Sequence, residues 1–238
     1  MKRVGPDDRI GYIQIDVVGG YDRWASNYDT IPNPLIAIEE GPVLEMVGDV
    51  QGLRVLDLGC GTGRYSQLLS EQGAEVIAID ISSVMVEQAR QKNKKTSFDL
   101  IRGSLYDICL VSSSFDLVVC ALTLNHIECL DRMLSETTRV LKKGGTIIIS
   151  DFHPYWVVFG HGYTEFDDES GQEYRIESFP HLFEDYWRAF KKFGLQVEDL
   201  REPRIARDLI VDFPNLEGYQ DIPLALVMKL LFLGCNVG

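Results

Sequence analysis

One nine-residue stretch constrains the fold of this chain more than any other. Residues 55–63 read V-L-D-L-G-C-G-T-G, in which apolar residues around Asp57 predict a short buried strand and the glycines predict a tight turn. Apolar residues at Tyr65, Leu68 and Leu69 then have helical spacing. A strand, a glycine-rich turn and a helix bring backbone N–H groups against a ligand, because glycine permits close backbone approach. The sequence therefore predicts an α/β unit with a ligand site at its turn.

A second strand strengthens this prediction. Residues 75–80 are mostly apolar and end in Asp80, which follows the glycines by roughly the 20 residues at which an acid can bind both hydroxyls of a ribose. The glycine spacing is G-x-G-x-G rather than G-x-G-x-x-G. A βα turn without a ligand would explain the glycines alone, but the turn and the acid together predict a nucleoside-containing cofactor.

The two motifs carry a family resemblance. V-L-D-L-G-C-G-T-G followed by A-I-D-I-S closely resembles the class I S-adenosylmethionine-dependent methyltransferases, and the resemblance extends from about residue 21 to at least residue 203. Within that family the chain most resembles the ubiquinone/menaquinone-methyltransferase-like (methyltransferase type 11) branch, which has very mixed substrates. The resemblance implies an α/β, doubly wound, Rossmann-like seven-stranded sheet with strand order 3-2-1-4-5-7-6 and strand 7 antiparallel.

The same resemblance implies how the chain is divided. Residues 1–238 would form a single methyltransferase domain, in which residues 1–50 provide an N-terminal arm and helices that cover the cofactor. Residues 152–183 are rich in aromatic side chains and too long for a plain connection. We expect them to form a cap inserted after strand 5 that shapes the substrate pocket.

Glycine and proline predict three local boundaries. The Gly-Gly pair at residues 19–20 should end a short strand in which apolar and polar residues alternate. Pro42 should kink or divide a helix that runs to about Gly48. The Gly-Gly pair at residues 144–145 should end a helix.

The resemblance implies S-adenosylmethionine as the cofactor and S-adenosylhomocysteine as its product. Asp80 would bind the ribose hydroxyls, and Asp57 would help to hold the methionine end. Ser104 stands where the family usually has an acid that binds the adenine amino group. For the tyrosines and the methionine of the expected set, core packing is an equally open interpretation. The expected cofactor-binding residues are Tyr21, Tyr28, Asp57, Gly59, Cys60, Gly61, Gly63, Asp80, Ile81, Met85, Ser104, Leu105, Ala121 and Asn125.

Three histidines are the candidate catalytic residues: His126, His153 and His181. Residues 115–121 predict a buried strand that leads to His126, and ligands of open α/β sheets bind at such carboxyl ends. His126 could be a general base, a substrate contact or a structural side chain that fixes its loop. No metal is expected, because the spacings of His153, His161 and His181 with the acids at residues 167–169 fit no standard metal-binding pattern.

The charge and composition of the chain limit the classes of partner that it is expected to bind. A net charge of −13 disfavours nonspecific attraction to nucleic acid or to an anionic membrane. The five cysteines include no C-x-x-C pair, so neither a disulfide framework nor a zinc site is indicated. No signal peptide is recognisable and no apolar run reaches the ~18 residues of a membrane helix. We therefore expect a cytoplasmic protein that acts on a small molecule. A homodimer is the candidate oligomeric state.

The expected function is methyl transfer to a small, partly apolar acceptor through an oxygen, carbon or nitrogen nucleophile. The aromatic cap and the acidic composition favour such an acceptor over nucleic acid. Two alternatives stay open. The first is a noncatalytic protein that binds S-adenosylmethionine, and the second, less favoured by the glycine spacing, is a nicotinamide-dependent oxidoreductase with a similar strand–glycine–helix unit.

Overall fold

A computed structural model describes residues 11–93, 97–160, 162–168 and 170–234. The strands are β1 (Ile13–Ile15), β2 (Arg54–Leu58), β3 (Glu75–Asp80), β4 (Asp99–Arg102), β5 (Phe115–Ala121), β6 (Leu141–Phe152), β7 (Thr164–Asp167), β8 (Glu173–Ile176), β9 (Leu195–Arg201) and β10 (Ala225–Phe232). The α-helices are α1 (Val17–Trp24), α2 (Pro34–Val47), α3 (Arg64–Glu71), α4 (Ser83–Lys92), α5 (Leu130–Val140), α6 (Pro154–Val158), α7 (Phe183–Lys192) and α8 (Arg207–Asp212). Short 3₁₀ turns occupy Leu124–His126 and Pro214–Tyr219.

Seven strands form the central sheet in the order β4-β3-β2-β5-β6-β10-β9. Numbered among themselves in chain order, they read 3-2-1-4-5-7-6, as the family resemblance predicts. The pairs from β4 to β6 are parallel, whereas β10 is antiparallel to both of its neighbours. The expected fold class and strand order are therefore confirmed.

Helices cover both faces of this sheet. Leu56 and Val118 belong to the buried cluster that also contains the apolar faces of α5 and α7. Their neighbours Val55 and Val119 belong to the opposite cluster, with α2 and α3. Because consecutive residues of a strand point to opposite faces, a strand buried on both sides must be apolar throughout. This explains the nearly continuous apolar sequences of β2 and β5.

A second, three-stranded sheet has the order β1-β8-β7. β1 is parallel to β8, and β7 is antiparallel to β8. Trp24 at the end of α1 packs in one buried cluster with Phe166, Tyr174 and Ile176 of this sheet. The N-terminal segment and the segment after β6 are thus parts of one structural layer. That these segments cover a cofactor and form a cap stays a prediction, and residues 1–10 lie outside the described residues.

The helix α1 runs through the Gly-Gly pair at residues 19–20, which the sequence predicted to end a strand. Asp16 caps α1 by accepting a hydrogen bond from the Gly19 N–H at 2.9 Å, and the helix continues through both glycines. A Cβ atom on Gly20 would lie 2.7 Å from Ile176 Cγ1. Glycine therefore allows close packing of α1 on β8. Tyr21 and Trp24 lie in this helix, whereas Tyr28 lies in the turn that follows.

The two other predicted boundaries also differ. Pro42 does not divide α2, since it lies inside one helix in which the following residues Val43 and Met46 are buried. The Gly-Gly pair at residues 144–145 lies within β6 rather than at a helix end. There the pairing with β5 shifts register, and a Cβ on Gly145 would lie 2.9 Å from the Asp116 carbonyl oxygen. The pair therefore belongs to a bulge.

Candidate functional site

A cavity of about 270 Å³ opens at the carboxyl ends of β2, β3 and β5. Twelve of the expected cofactor or catalytic residues line it: Tyr21, Tyr28, Asp57, Gly59, Cys60, Gly61, Asp80, Ile81, Ser104, Leu105, Ala121 and His126. This edge of an open α/β sheet, where strands on either side of β2 lead to opposite faces, is where such folds bind ligands. The position of the cavity therefore makes it the candidate cofactor site.

The glycine turn forms one wall of the cavity. The N–H groups of Gly59 and Cys60 donate to the Ile79 carbonyl at 2.8 and 3.0 Å, which ties the turn to β3. Gly59 has φ of 71°, and a Cβ there would lie 2.4 Å from Thr123 Oγ1. Gly61 has φ of 54°, and no atom lies within 4 Å of the position its Cβ would take. A side chain at Gly61 would therefore occupy open space beside the cavity instead of the protein core.

Asp80 joins the two βα turns at the cavity. Its carboxylate accepts the Gly61 N–H at 2.8 Å through Oδ2 and the Ser82 N–H at 2.8 Å through Oδ1. Burial raises the pKa of this carboxyl, and the hydrogen bonds oppose the rise. Each carboxylate oxygen keeps a lone pair after these contacts. The arrangement suits a ligand that donates two hydroxyl hydrogen bonds.

Two charged side chains line the cavity beside the turn. Asp57 accepts the Ser66 hydroxyl at 2.5 Å, and burial raises the pKa of Asp57 to about 6. Arg64, the first residue of α3, donates to Glu39 at 2.6 Å and to Glu40 at 2.9 Å. The cavity therefore presents a carboxyl group and a guanidinium cation to a ligand. These are complementary to the ammonium and carboxylate of an amino acid.

His126 is the one candidate catalytic histidine that lines the cavity. Its Nδ1 lies 2.8 Å from the Glu177 carbonyl oxygen, which only accepts, so Nδ1 carries the proton. Nε2 then accepts the Tyr21 hydroxyl at 2.9 Å, with Thr164 Oγ1 at 3.3 Å. Burial lowers the pKa of His126 and raises the pKa of Tyr21. Both rings are therefore neutral and joined by a hydrogen bond.

The other two histidines lie outside the cavity lining. His153 is fully buried, its Nε2 donates to Glu202 at 2.9 Å, and its Nδ1 accepts the Tyr155 N–H at 3.2 Å. Both of its ring nitrogens are engaged in the fold. His181 Nε2 donates to the Ile127 carbonyl at 2.7 Å. These contacts hold loops in place and leave His126 as the histidine positioned for chemistry.

Three expected cofactor-binding residues also lie outside the cavity lining, each for a packing reason. Gly63 begins α3 with φ of 84°, and a Cβ there would lie 3.2 Å from both Ala89 and Phe98. Met85 is only 1% exposed and packs in the core. Asn125 is buried and donates from Nδ2 to Ser178 Oγ at 3.2 Å. The core-packing interpretation therefore describes Met85, whereas Tyr21 and Tyr28 reach the cavity.

Sequence reasoning missed several lining residues: Val17, Thr62, Arg64, Tyr65, Tyr106, Leu122, Thr123, Ile127, Glu128 and Phe179. Some carried a usable signal, since Arg64 follows the glycine turn directly and Leu122 follows a predicted strand. Phe179 carried none, because it is placed by a hydrogen bond from its own N–H to the Asn125 carbonyl at 2.7 Å, across a long sequence separation. The pKa of Tyr28 is raised to about 12 by burial.

Within the part of the chain that the structure describes, no group of three His, Cys, Asp or Glu side chains is arranged to hold a metal ion. His161 and Glu169, which belong to the histidine–acid set considered above, lie outside the described residues. Over the same described ranges, every helix is too short or too polar to cross a lipid bilayer.

Comparisons with known proteins agree with this geometry. A family model described as a methyltransferase domain (Methyltransf_11) matches residues 56–149. The chain is 31% identical over 157 residues to a demethylmenaquinone methyltransferase of Renibacterium salmoninarum, which covers 63% of this chain and 65% of that protein. It is also 31% identical over 196 residues to an uncharacterized protein of Haemophilus influenzae, with 71% of this chain and 77% of that one covered.

A solved structure shares the fold. The S-adenosylmethionine-dependent methyltransferase from Mesorhizobium loti superposes with a TM-score of 0.67 at 24% identity, over 83% of this chain and 99% of that one. Sheet order, cavity position and these likenesses define one class. The chain belongs to the class I S-adenosylmethionine-dependent methyltransferases, enzymes whose cofactor is S-adenosylmethionine. The expected family and cofactor are thereby confirmed. Because the chain spans just under two thirds of the quinone methyltransferase, its own acceptor is a matter for proposal.

Proposed function

We propose that this protein transfers a methyl group from S-adenosylmethionine to a small, partly apolar acceptor. The observation that carries the proposal is the Asp80 carboxylate, which is held at the cavity by the N–H groups of Gly61 and Ser82 beside the open space at Gly61. The residues present fit the cofactor. The cavity has a backbone cradle at Gly61 that a Cβ would fill and a carboxylate, Asp80, for the ribose hydroxyls. It also has the carboxyl of Asp57 and the guanidinium of Arg64 for the amino acid end.

The binding roles follow from the contacts. Gly61 leaves the backbone free of a side chain where the ligand approaches, whereas Gly59 makes room for Thr123. Asp80 accepts hydrogen bonds from the ribose. Asp57 and Arg64 face the methionine end, where a carboxylate–ammonium contact and a guanidinium–carboxylate contact are each charge-assisted. Ser104 and the backbone of Leu105 bind the adenine end. Ser104 Oγ already accepts the Tyr106 N–H at 3.2 Å and still has its own hydrogen to donate.

The bound cofactor supplies a methyl group that is electrophilic because it is attached to a sulfonium. The protein must therefore align a nucleophile, exclude water and take up a proton where the acceptor loses one. The Tyr21–His126 pair lies in the cavity wall and is oriented from outside by the Glu177 carbonyl. We assign His126 a positioning role: it fixes the Tyr21 hydroxyl, whose remaining lone pair is offered to the contents of the cavity. His153 and His181 have structural roles in this proposal.

A small-molecule acceptor rather than nucleic acid is supported by the net charge of −13, which repels a phosphate backbone at long range. A noncatalytic binder of the same cofactor would use the same cradle but would show no turnover with any acceptor. The nicotinamide alternative loses its support, because the matching family model and the named relative are methyltransferases. A cytoplasmic location and a homodimer stay predictions from the sequence, and sedimentation velocity tests the latter.

Calorimetric titration with S-adenosylhomocysteine, with NADH as the control ligand, tests the proposal. We expect micromolar binding of S-adenosylhomocysteine and none of NADH. Radiolabelled methyl transfer to a panel of small phenols, quinones and amines then separates an enzyme from a noncatalytic binder. Binding of NADH alone would overturn the proposed function, and cofactor binding with no labelled product across the panel would favour the noncatalytic alternative.

A further inference from the structure

A second cavity, of about 340 Å³, adjoins the first. Four side chains line both cavities: Tyr21, Tyr28, Leu122 and His126. The hydrogen-bonded Tyr21–His126 pair therefore stands in a shared wall. Part of the remaining lining comes from the start of α2, the end of β6 and β7. If the first cavity holds the cofactor, a molecule in the second would lie next to it along this shared wall.

Aromatic rings dominate one side of the second cavity. Trp24 and Tyr28 meet edge to face, with ring centroids 4.8 Å apart and an interplanar angle of 73°. Tyr21 lies 6.0 Å from Trp24 and 6.2 Å from Tyr28, so the three rings are mutual neighbours. Tyr163 and Phe152 add further aromatic side chains to the lining. Trp24 is also stacked on Phe166, with ring centroids 5.3 Å apart, and the Arg175 guanidinium lies 4.4 Å from the Tyr163 ring centroid. These rings therefore give the cavity an apolar side that suits the carbon skeleton of a ligand.

A buried carboxyl group lies in the same cavity. Asp151, near the end of β6, is 3% exposed and accepts backbone N–H hydrogen bonds from Asn125 at 2.6 Å and Phe152 at 2.7 Å. The second acid in the lining, Glu165, is already paired with Arg175, whose Nε lies 2.7 Å from Glu165 Oε1. No ion pair within the described ranges gives Asp151 a cationic partner. Burial raises the pKa of Asp151 to about 7, as expected of a carboxylate without a counter-charge.

We propose that the second cavity binds the methyl acceptor and that this acceptor is a small primary or secondary amine, held as its ammonium ion by Asp151 with its carbon skeleton against the aromatic rings. The inference rests on the proposed function, to which it adds the substrate class. A buried charge is costly without a partner, and an ammonium ion supplies the partner that the chain does not. The net charge of −13 also attracts cations rather than anions to the protein.

The chemistry balances without a further reagent. The ammonium ion passes one proton to the Asp151 carboxylate, which leaves a neutral amine with a free lone pair. One N–C bond then forms with the methyl carbon and the S–C bond breaks, with its electron pair kept by sulfur. The products are the N-methylated ammonium ion, the thioether and a protonated Asp151, which returns its proton to water when the product leaves.

Matched pairs of probes test the inference without relying on turnover. Benzylamine and phenethylamine are titrated against benzyl alcohol and phenethyl alcohol, each in the presence of saturating S-adenosylhomocysteine. We expect the amines to bind at least about 10-fold more tightly than the alcohols of the same shape. Asp151→Asn should reduce that preference to within about 2-fold. Asp167→Asn, which changes an exposed acid of β7 that does not line this cavity, should leave it unchanged.

The outcomes separate the two proposals. Failure of the wild-type protein to bind S-adenosylhomocysteine would overturn the proposed function itself. Normal S-adenosylhomocysteine binding with alcohols bound as tightly as amines, or with neither class bound, would overturn only the amine inference. Retained S-adenosylhomocysteine affinity in Asp151→Asn shows that the variant is folded, so a preference for amines that survives in it would also contradict the assignment to Asp151.

Discussion

The two adjoining cavities differ in whether backbone or side chains form most of their lining. The first is formed largely by backbone: two βα turns at adjacent strand ends, tied together by hydrogen bonds from Gly59 and Cys60 to Ile79 and from Gly61 to Asp80. The second is formed by side chains, chiefly the rings of Tyr21, Trp24 and Tyr28 around a buried carboxyl. Backbone geometry suits a cofactor that is the same throughout a family. A wall of side chains can change its chemistry by substitution, which suits an acceptor that differs among relatives.

The largest effect should come from filling the backbone cradle. Gly61→Val places a branched side chain in the open space beside Asp80, and we expect S-adenosylhomocysteine affinity to fall by at least about 100-fold, or roughly 3 kcal/mol. Gly52→Val is the matched control, because Gly52 also has a positive φ, of 74°, and open space around it but lies outside the cavity. Calorimetry should show binding lost in the first variant alone. Equal affinities in the two would mean that Gly61 is not part of a cradle.

A carboxylate in the same wall should matter next. Asp80→Ala removes the acceptor proposed for the ribose hydroxyls and should weaken S-adenosylhomocysteine binding by about 1.5–3 kcal/mol, or roughly 10- to 100-fold. Glu75→Ala, at the exposed start of the same strand, should change affinity little. Because Asp80 also accepts two backbone N–H groups, thermal denaturation should accompany the titration. A variant that stays folded and binds normally would remove Asp80 from the site.

The first cavity was more predictable from the sequence than the second, because a local backbone motif forms the first and side chains from distant segments form the second. The strand, turn, helix and Asp80 all lie within about 30 consecutive residues, so local spacing was enough to predict the first site. The second cavity joins α1, the end of β6 and β7, and no local pattern connects Tyr21 to Asp151 or Tyr163. The Gly-Gly pair of α1 shows the same limit. Read locally it predicts the end of a strand, whereas α1 passes through both glycines and the close contact of Gly20 with Ile176 explains why a glycine is needed there.

The buried carboxyl of the second cavity predicts a pH-dependent stability. The pKa of Asp151 is raised to about 7 in the folded protein, against ~3.9 for an unfolded Asp. The unfolded state therefore binds fewer protons between those values, and this group's contribution is fully present below about pH 4 and lost as pH rises through about 7. Asp151→Asn removes that pH dependence, but its amide has only one acceptor oxygen for the two backbone N–H groups. We therefore expect the stability of the variant relative to wild type to rise by about 1–3 kcal/mol from pH 4 to pH 8.

The same linkage gives the control. At pH 5 only roughly a third of that rise should have occurred, because most of the difference between the two pKa values lies above pH 5. Urea unfolding at these three pH values measures both. Asp57→Asn, in the first cavity, provides a comparison, since the pKa of Asp57 is raised only to about 6 and its rise should be smaller. A relative stability of Asp151→Asn that does not rise with pH would show that the group is charged at little cost, which would weaken the case for a missing counter-ion.

The smallest effect concerns the wall that the two cavities share. The Tyr21 hydroxyl donates to His126 Nε2 at 2.9 Å, whereas the Tyr28 hydroxyl, in the same wall, has no hydrogen bond to His126. A double-mutant cycle of Tyr21→Phe and His126→Gln, read as free energy of unfolding, should give a coupling of about 0.5–1.5 kcal/mol. The cycle of Tyr28→Phe with His126→Gln should give almost none.

This coupling separates two views of the wall. If Tyr21 and His126 form one unit, the hydroxyl presented to both cavities is held by the Glu177 carbonyl through the imidazole, and the segment after β8 determines its direction. The positioning role then predicts that His126→Gln and Tyr21→Phe lower turnover of an amine acceptor by similar factors and lower it no further together. Additive losses, or equal couplings for the two tyrosines, would show that the rings only pack against each other, and the two cavities would then share a boundary without sharing a mechanism.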